Sequence, residues 1–437
     1  MDAADRDTVL GVHLPPAQDR VRTSLLLTAA LLGLVLRLAF ALGYWHGQPL
    51  TRDEQEYLSL ARSLAAGQGF VYDDVMRAGP LPPFGRAPGY PAFLAVVGGG
   101  HTVVRSVPTS VKVAQSIVGA CGVLMVGLIA GRLAGSRAGH AAAFIAAAYP
   151  PLVWIAAYAF SESIFWPLSL VAVWMFDHGS GRRPSSAPGS RAPGVSTRRR
   201  ELVWFFACGV VTALGILIRP ALLFFLPLAG VWLLWHRRSA AAAAMAAGVL
   251  ILLLPWTARN YASHGTFVLV ASDGGVTFWT GNHPLATGDG DMAANPALKI
   301  ANLELRAQHP GLSEEEMEPI YYREALAWMR AHPFTWLGLE VRKLMYVVLP
   351  IGPSYFVHSR LYSITSVVSY GLLLPIALAG LVRLGPRRPR AAGLWLLAAS
   401  AVAVCLVFFP QERFRIPTLD PTLIVCAGAI AARRERV

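Results

Sequence analysis

Long apolar runs separated by shorter polar stretches make up most of the chain. The runs at 25–44 and 240–256 are nearly free of charged residues. A helix that spans a membrane needs about 20 mostly apolar residues. Segments that approach this length lie at 24–44, 108–131, 138–157, 161–177, 202–218, 220–235, 240–257, 361–383, 391–409 and 416–432. The pattern predicts an all-α polytopic membrane protein with about ten transmembrane helices.

The arginines between these runs predict how the chain is oriented. The stretch 178–200 carries six arginines and no acid, and short arginine-rich loops stay in the cytoplasm. The other arginine-rich loops fall on the same side if all ten runs span the membrane. Both ends of the chain are then cytoplasmic, with 1–22 as a polar tail, 178–200 as a linker and the first apolar run as a signal anchor.

Two longer polar regions, 45–107 and 258–360, are predicted to lie outside. The second region divides the chain into a transmembrane module at 23–257, which includes the first region and the linker, an outer loop region at 258–360 and C-terminal transmembrane helices at 361–437. The first region predicts a helix that starts near Thr51 and ends at Gly67, followed by a short interfacial helix at 88–97. The second predicts β-like stretches at 266–271 and 277–282, then juxtamembrane helices at 313–332 and 334–348.

Composition narrows the class of function. Apolar residues make up 55% of the 437 positions and mean hydropathy is +0.48. The net charge of +13 sits mostly in short cytoplasmic loops, which argues against a nucleic-acid partner. The four cysteines lie in apolar runs without paired spacing, so neither a disulfide framework nor a zinc site is predicted. Arg37, inside the first run, either reaches the interface or faces inward toward a phosphate.

An acidic pair, Asp53 and Glu54, follows the first predicted span. Ionisable groups kept beside a membrane segment are candidates for function. The alternative is structural, because Thr51 and Glu54 have the spacing of a capping box and acids in a first turn favour the helix dipole. Catalysis is the favoured interpretation of Asp53, whereas both interpretations stay open for Glu54.

Several short motifs recur in one order along the chain. They are Asp53-Glu54-x-x-Tyr57, Arg86-Ala87-Pro88-Gly89-Tyr90-Pro91, Tyr149-Pro150-Pro151 with Ser161-Glu162-Ser163, Ile218-Arg219-Pro220, Pro255-Trp256-x-x-Arg259-Asn260-Tyr261, Gly274-Gly275 with Gly281-Asn282-His283-Pro284, and Glu412-Arg413-Phe414-Arg415-Ile416-Pro417. Together they resemble the GT-C superfamily of membrane glycosyltransferases, specifically glycosyltransferase family 39, which is related to protein O-mannosyltransferases and lipid A aminoarabinose transferases.

This resemblance implies a GT-C fold and a reaction. The enzyme would transfer a sugar from a polyprenyl-phosphate donor to a protein, lipid or cell-envelope glycan, on the outer face of a bacterial cytoplasmic membrane. The family's acidic residue in the first outer loop maps onto Asp53, with Glu54 beside it, and a second acid resembles Glu162. Direct displacement would invert the anomeric carbon. No metal ligand is assigned and no cofactor is certain, although a divalent cation near Glu162 is left open.

The departing phosphate needs positive charge nearby. Arginines at outer helix ends can supply it, and one guanidinium group can bind two phosphate oxygens at once. The candidates are Arg219, Arg86, Arg259, Arg413 and Arg415, with interfacial anchoring as the alternative. The motifs also make Tyr57, Tyr90, Asn260, Asn282 and His283 candidate substrate ligands, although loop polarity explains Asn282 and His283 equally well. A transporter or flippase of lipid-linked sugars is the alternative function, but the acids lie at one face and no repeat is evident. A catalytically silent scaffold is a third interpretation.

Overall fold

The computed structural model describes residues 22–73, 85–100, 105–181, 195–290, 292–354, 359–385 and 391–432. Every regular element within these ranges is a helix. The α-helices are α1 (Thr23–Leu38), α2 (Arg52–Ala65), α3 (Gly89–Val96), α4 (Thr109–Ala134), α5 (Ser136–Ala148), α6 (Pro150–Trp154), α7 (Glu162–Ser180), α8 (Val195–Ile218), α9 (Phe225–Trp235), α10 (Ser239–His264), α11 (Gly274–Gly281), α12 (Pro296–Ala307), α13 (Glu314–Ala331), α14 (Pro333–Val348), α15 (Arg360–Leu384), α16 (Ala392–Val407), α17 (Glu412–Arg415) and α18 (Leu419–Gly428).

Apolar helices long enough to cross a membrane are fewer than the predicted ten. Five pass by length and composition: Thr23–Tyr44, Thr109–Ala134, Arg198–Ile218, Ser239–His264 and Arg360–Leu384. A sixth is formed if α5 and the Pro150–Ala157 helix, which are bent by 61°, count as one broken span. The predicted run at 220–235 starts with a 3-10 turn at Pro220–Phe224, which leaves only 11 residues for α9. The structure confirms an all-helical protein with several apolar spans, and ten spans stay a prediction.

Glycines bring the central helices together. At the crossing of α8 and α10, a Cβ atom added to Gly209 would collide with the Met245 carbonyl, and one added to Gly248 would collide with the Phe206 carbonyl. In lipid there is no hydrophobic force between apolar helices, so close backbone packing at small residues supplies much of their association. The paired glycines therefore hold α8 and α10 side by side.

Arg37 faces inward in the bundle. Its side chain is fully buried, donates to the Gly33 carbonyl at 2.9 Å and lies 5.8 Å from the Trp166 ring centre. Gly33 and Gly119 leave the space that it fills. Of the two alternatives for Arg37, reaching the interface is wrong, and a phosphate contact stays a prediction.

The predicted β-like stretches are helical or irregular. Positions 277–282 lie within α11 and its C-cap Asn282, with Asp273 at the N-cap. Positions 266–271 form no strand. Their carbonyls instead accept hydrogen bonds from side chains of α10: Asn260 donates to Val268, Thr257 to Leu269 and Trp256 to Val270. The β prediction for 266–271 is wrong because these side chains donate to backbone carbonyls that a neighbouring strand would otherwise bind.

The other predicted helices of the two long polar regions are confirmed. α2 starts after Thr51 and ends before Gly67, which has a φ of +71° that favours glycine. α3 matches the short helix at 88–97, and α13 and α14 match 313–332 and 334–348. Where these elements lie relative to a membrane, and the division into modules, stay predictions.

Candidate active site

The two acids in the first turn of α2, Asp53 and Glu54, have different partners. Glu54 accepts hydrogen bonds from the Thr51 backbone N–H at 2.7 Å and the Thr51 hydroxyl at 2.8 Å, and its own N–H donates to that hydroxyl. The capping box is therefore formed. The other Glu54 oxygen accepts the Ala159 N–H at 2.9 Å and ties α2 to the segment before α7. Both Glu54 oxygens are thus bound to structural partners, whereas Asp53 is left for other contacts.

Asp53 is held between two arginines. Its Oδ1 accepts from Arg86 and its Oδ2 from Arg413, each at 2.7 Å. The Asp53 side chain is 29% exposed. Burial raises the pKa of Asp53, but the charges of Arg86 and Arg413 outweigh it and hold that pKa below its usual range. Asp53 is therefore ionised at neutral pH.

Glu162, at the first turn of α7, is the second centre of the site. It is fully buried, and its Oε1 pairs with Arg219 at 3.0 Å and with the Nε of Arg413 at 3.1 Å. Arg413 consequently bridges Asp53 and Glu162. A buried carboxylate needs such partners, because an uncompensated charge in a low-dielectric interior is unstable.

Glu56 completes the group. It lies one turn after Asp53 on α2 and accepts from Arg86 at 2.6 Å and from Arg52 at 3.1 Å. We call the three acids and the three arginines that join them the arginine–carboxylate cluster. Its members are Asp53, Glu56, Arg86, Glu162, Arg219 and Arg413.

Hydroxyl groups and rings line the cluster. The Tyr57 hydroxyl donates to the Ser161 hydroxyl at 3.3 Å, and Ser161 donates to Glu162 at 3.2 Å. The guanidinium carbons of three arginines lie close to ring centres: Arg413 is 4.0 Å from Phe160, Arg219 is 5.1 Å from Phe414 and Arg86 is 5.1 Å from Tyr57. Contacts of this kind stabilise the cations and fix their orientation.

An apolar pocket opens beside Arg219. Phe165, Leu222, Val404 and Phe414 are among its walls. The pocket has a volume of only about 10 Å³, room for one water molecule. Arg219 therefore has mainly apolar neighbours from α7, the 3-10 turn Pro220–Phe224 and α16.

Two predicted ligands lie elsewhere in the fold. Arg259 packs against the rings of Trp256 and Phe70, at 5.1 and 5.9 Å from their centres. Arg415 is buried, pairs with Asp420 at 2.9 Å and covers the Tyr370 ring. Arg413 faces Asp53 while Arg415 faces a separate buried group, because residues two apart on a helix point to opposite sides.

The remaining predicted ligands have structural partners. The Tyr90 hydroxyl donates to Gln115, and its ring meets Tyr57 edge to face at 4.9 Å. Asn260 donates to the Val268 carbonyl, as described above. Asn282 accepts from Lys343 and Trp336, each at 3.1 Å, and His283 accepts the Leu285 N–H. Contacts of these residues with substrate stay predictions, and only Tyr90 adjoins the cluster, through Tyr57.

Sequence reasoning missed three polar members of the site. Glu56 follows Asp53 by three residues, so helical spacing alone places both on one face. Ser161 precedes a predicted acid. Asp273 directly precedes the Gly274-Gly275 motif, and Arg86 and Arg219 interact with it electrostatically. Burial raises the pKa of Asp273 above its usual value, and these two arginines oppose that shift.

A second buried ionic group involves the other two charged residues of α17, Glu412 and Arg415. Together with Asp289 they line a pocket that is separate from the arginine–carboxylate cluster. Burial raises the pKa of Glu412 to about 7, partly opposed by Arg415, while the nearby Asp420 adds to the shift. Ionising Glu412 therefore opposes folding as the pH rises from its usual pKa of 4.5 toward 7.

Replacing Glu412 with Gln should change how stability depends on pH. Below about pH 4.5 the wild-type carboxyl is protonated and the variant gains little. Above about pH 7 the variant should be more stable by up to about 3 kcal/mol, since one pKa unit is worth about 1.4 kcal/mol. Thermal unfolding in detergent at both ends of this window measures the difference. Glu304→Gln, at an exposed position of α12, is the matched control, and parallel curves for both variants would contradict the expectation.

Comparisons with known proteins show similarity in structure. No model of a known protein family matches the chain, and no curated protein sequence matches it significantly. The oligosaccharyltransferase AglB of Archaeoglobus fulgidus, solved with an inhibitory peptide and a dolichol-phosphate, superposes over 93% of this chain and 50% of its own, with 18% identity and a TM-score of 0.56. A second AglB structure, tethered to an acceptor peptide, gives 16% identity and the same TM-score over 93% of this chain and 49% of its own.

A bacterial structure is also similar. ArnT from Cupriavidus metallidurans bound to undecaprenyl phosphate matches 94% of this chain and 78% of its own, with 15% identity and a TM-score of 0.42. The chain spans about half the length of the archaeal enzymes. At these identities the likeness concerns the fold.

A metal site was left open by the sequence, and one AglB structure was solved with zinc and sulfate. Within the described ranges, no group of three His, Cys, Asp or Glu residues is placed to hold a metal ion. Asp53, Glu56 and Glu162 are each paired with arginines instead. A divalent cation at this site stays a prediction. The helical architecture over nearly the whole chain is shared with the archaeal oligosaccharyltransferase.

Proposed function

We propose that the protein transfers a sugar from a polyprenyl-phosphate donor to an acceptor on the outer face of a bacterial cytoplasmic membrane. The observation that carries the proposal is the arginine–carboxylate cluster within a helical fold shared with a membrane oligosaccharyltransferase. Arginines suit the phosphate of such a donor. The dolichol-phosphate and peptides bound to AglB support this class of donor and of acceptor.

In the proposed reaction Asp53 is the base. It takes the proton of the acceptor hydroxyl as that oxygen attacks the anomeric carbon. The bond from this carbon to the phosphate oxygen breaks, and its electron pair leaves with the phosphate, which becomes a monoester with one more negative charge. Attack opposite the leaving group inverts the anomeric carbon. Arg86, Arg219 and Arg413 stabilise the charge that develops on the phosphate.

Glu162 and Glu54 act less directly in this proposal. Glu162 holds Arg219 and Arg413 in position, because it pairs with both. Glu54 anchors the start of α2 and so places Asp53. The acceptor is a protein, a lipid or an envelope glycan, and membrane lipids surround the helices.

The test is sugar transfer by the purified protein in liposomes. Labelled polyprenyl-phosphate sugars are offered one at a time with crude envelope acceptors, and both transfer and donor hydrolysis are measured. Product formation with one donor would support the proposal and identify the sugar. Movement of a donor across the bilayer without either reaction would favour the flippase. Absence of binding, reaction and movement with every donor would contradict the proposal.

Replacing Arg219 with Ala should impair use of the donor more than use of the acceptor. A hydrogen bond to a charged group is worth about 1.5–3 kcal/mol, so the KM for the donor should rise roughly tenfold to a hundredfold. Arg323→Ala, at an exposed position of α13, is the matched control. Equal effects on the KM values of both substrates would argue against a phosphate contact.

A further inference from the structure

The proposed base is masked in the resting protein. Both Asp53 oxygens are bound at 2.7 Å to guanidinium groups, whose charges lower its pKa. A carboxylate held in this way is a weak acceptor for the proton of a hydroxyl group. The arrangement seen here therefore has to change before Asp53 can act.

The groups that mask the base are also the groups that suit the phosphate. Arg86 and Arg413 are 21% and 24% exposed, so a ligand can reach them. Phosphate oxygens match the guanidinium fork as carboxylate oxygens do. Arg219 differs, since its carboxylate partner is Glu162 and not Asp53.

Resting on the function proposed above, we propose that the donor phosphate takes Arg86 and Arg413 away from Asp53, so that the substrate itself unmasks the base. Without donor, both arginines stay on Asp53 and the site is inactive toward hydroxyl groups. With donor bound, the arginines face the phosphate and Asp53 is free to turn to the acceptor.

The charges of the cluster support this exchange. The cluster has three arginines and three acids, so a phosphodiester adds one negative charge in excess of this formal balance. A proton on Asp53 removes that excess. During transfer the proton comes from the acceptor hydroxyl, and in a complex without acceptor it comes from solvent.

Other ionisable groups face the same arginines. Glu56 contacts Arg86 and Glu162 contacts Arg413. The Tyr57 hydroxyl lies beside Ser161. Asp273 interacts with Arg86 and is the main competitor for a proton, since its pKa is already raised. A test has to distinguish Asp53 from Asp273.

Binding of the methyl ester of undecaprenyl phosphate provides the test. This phosphodiester has one fixed negative charge near neutral pH and carries no sugar to transfer, so any linked proton binds to the protein. Titration calorimetry at about pH 5.5 in two buffers of different ionisation enthalpy measures the protons taken up per ligand bound. We expect uptake of a large fraction of one proton by the wild-type protein and by Asp273→Asn, and uptake near zero by Asp53→Asn.

The outcomes separate this inference from the proposed function. Binding by the wild-type protein without proton uptake overturns the exchange and leaves the donor class intact. Uptake that persists in Asp53→Asn, or disappears in Asp273→Asn alone, assigns the proton to another group and also overturns it. Equal uptake with phosphatidylglycerol would mean that any lipid phosphodiester releases Asp53, which contradicts unmasking by the donor. If the ester does not bind at all, the proposed function fails as well.

Discussion

Replacing Asp53 with Asn should lower the rate of sugar transfer by about 10²–10⁴-fold, because an amide cannot accept the proton of the acceptor hydroxyl. The protein should still insert and fold, since the capping box of α2 depends on Thr51 and Glu54 and is unchanged. Binding of the phosphate donor should be retained or tightened, because a competitor for Arg86 and Arg413 is removed. Initial rates at saturating donor and acceptor measure the effect.

The matched control for this change is Glu304→Gln, which makes the same chemical substitution at an exposed position of α12. Its rate should equal that of the wild-type protein. Asp53→Glu tests whether the position of the carboxylate matters. It retains the carboxylate but moves it one methylene group further from the helix. Undiminished turnover in Asp53→Asn would remove Asp53 from the chemistry, even if the donor and product were confirmed.

Replacing Arg413 with Ala should impair both stability and activity. This arginine bridges Asp53 and Glu162, and its side chain is 24% exposed. Removing an arginine that two largely buried carboxylates share leaves each of them with one arginine, Arg86 for Asp53 and Arg219 for Glu162, which we expect to lower the free energy of unfolding by roughly 2–5 kcal/mol. Transfer should fall at least about a hundredfold, because one phosphate ligand is lost and Glu162 keeps only Arg219.

A double-variant cycle separates the two effects of Arg413→Ala. Adding Asp53→Asn removes a carboxylate that has lost one of its two arginines. The double variant should therefore lose less stability than the sum of the single changes, whereas activity should not return. Arg323→Ala is the control for the loss of an arginine. Thermal unfolding and initial rates are measured on all four proteins. Additive losses of stability would mean that Arg413 and Asp53 do not interact in the folded protein.

The class of protein and most local elements were predictable from sequence. Apolar runs of about 20 residues require helices in a membrane, because the backbone has no other partner there. The capping box at Thr51 and the glycine after α2 depend on neighbours in the chain, so local rules predicted both ends of that helix. The ordered motifs also pointed to the GT-C fold, which the superposition on AglB bears out.

Contacts between distant segments were not predictable in this way. The stretch 266–271 has the composition of a strand, yet side chains of α10 bind its carbonyls. The same limit applies to the count of spans, because the bend at Pro150 and the 3-10 turn after Arg219 depend on how helices pack as well as on hydropathy.

The sequence by itself determined which residue types stand at the helix ends: acids at the start of α2 and α7, and arginines before α3, after α8 and on α17. Only the tertiary structure decided which of them meet. It places Arg413 on Asp53 and Glu162, and turns Arg415 toward Asp420, because opposite sides of one short helix face different neighbours. The physical reason is that charges separated by up to 360 positions pair only where folding brings them within a few ångströms, and burial then strengthens their interaction.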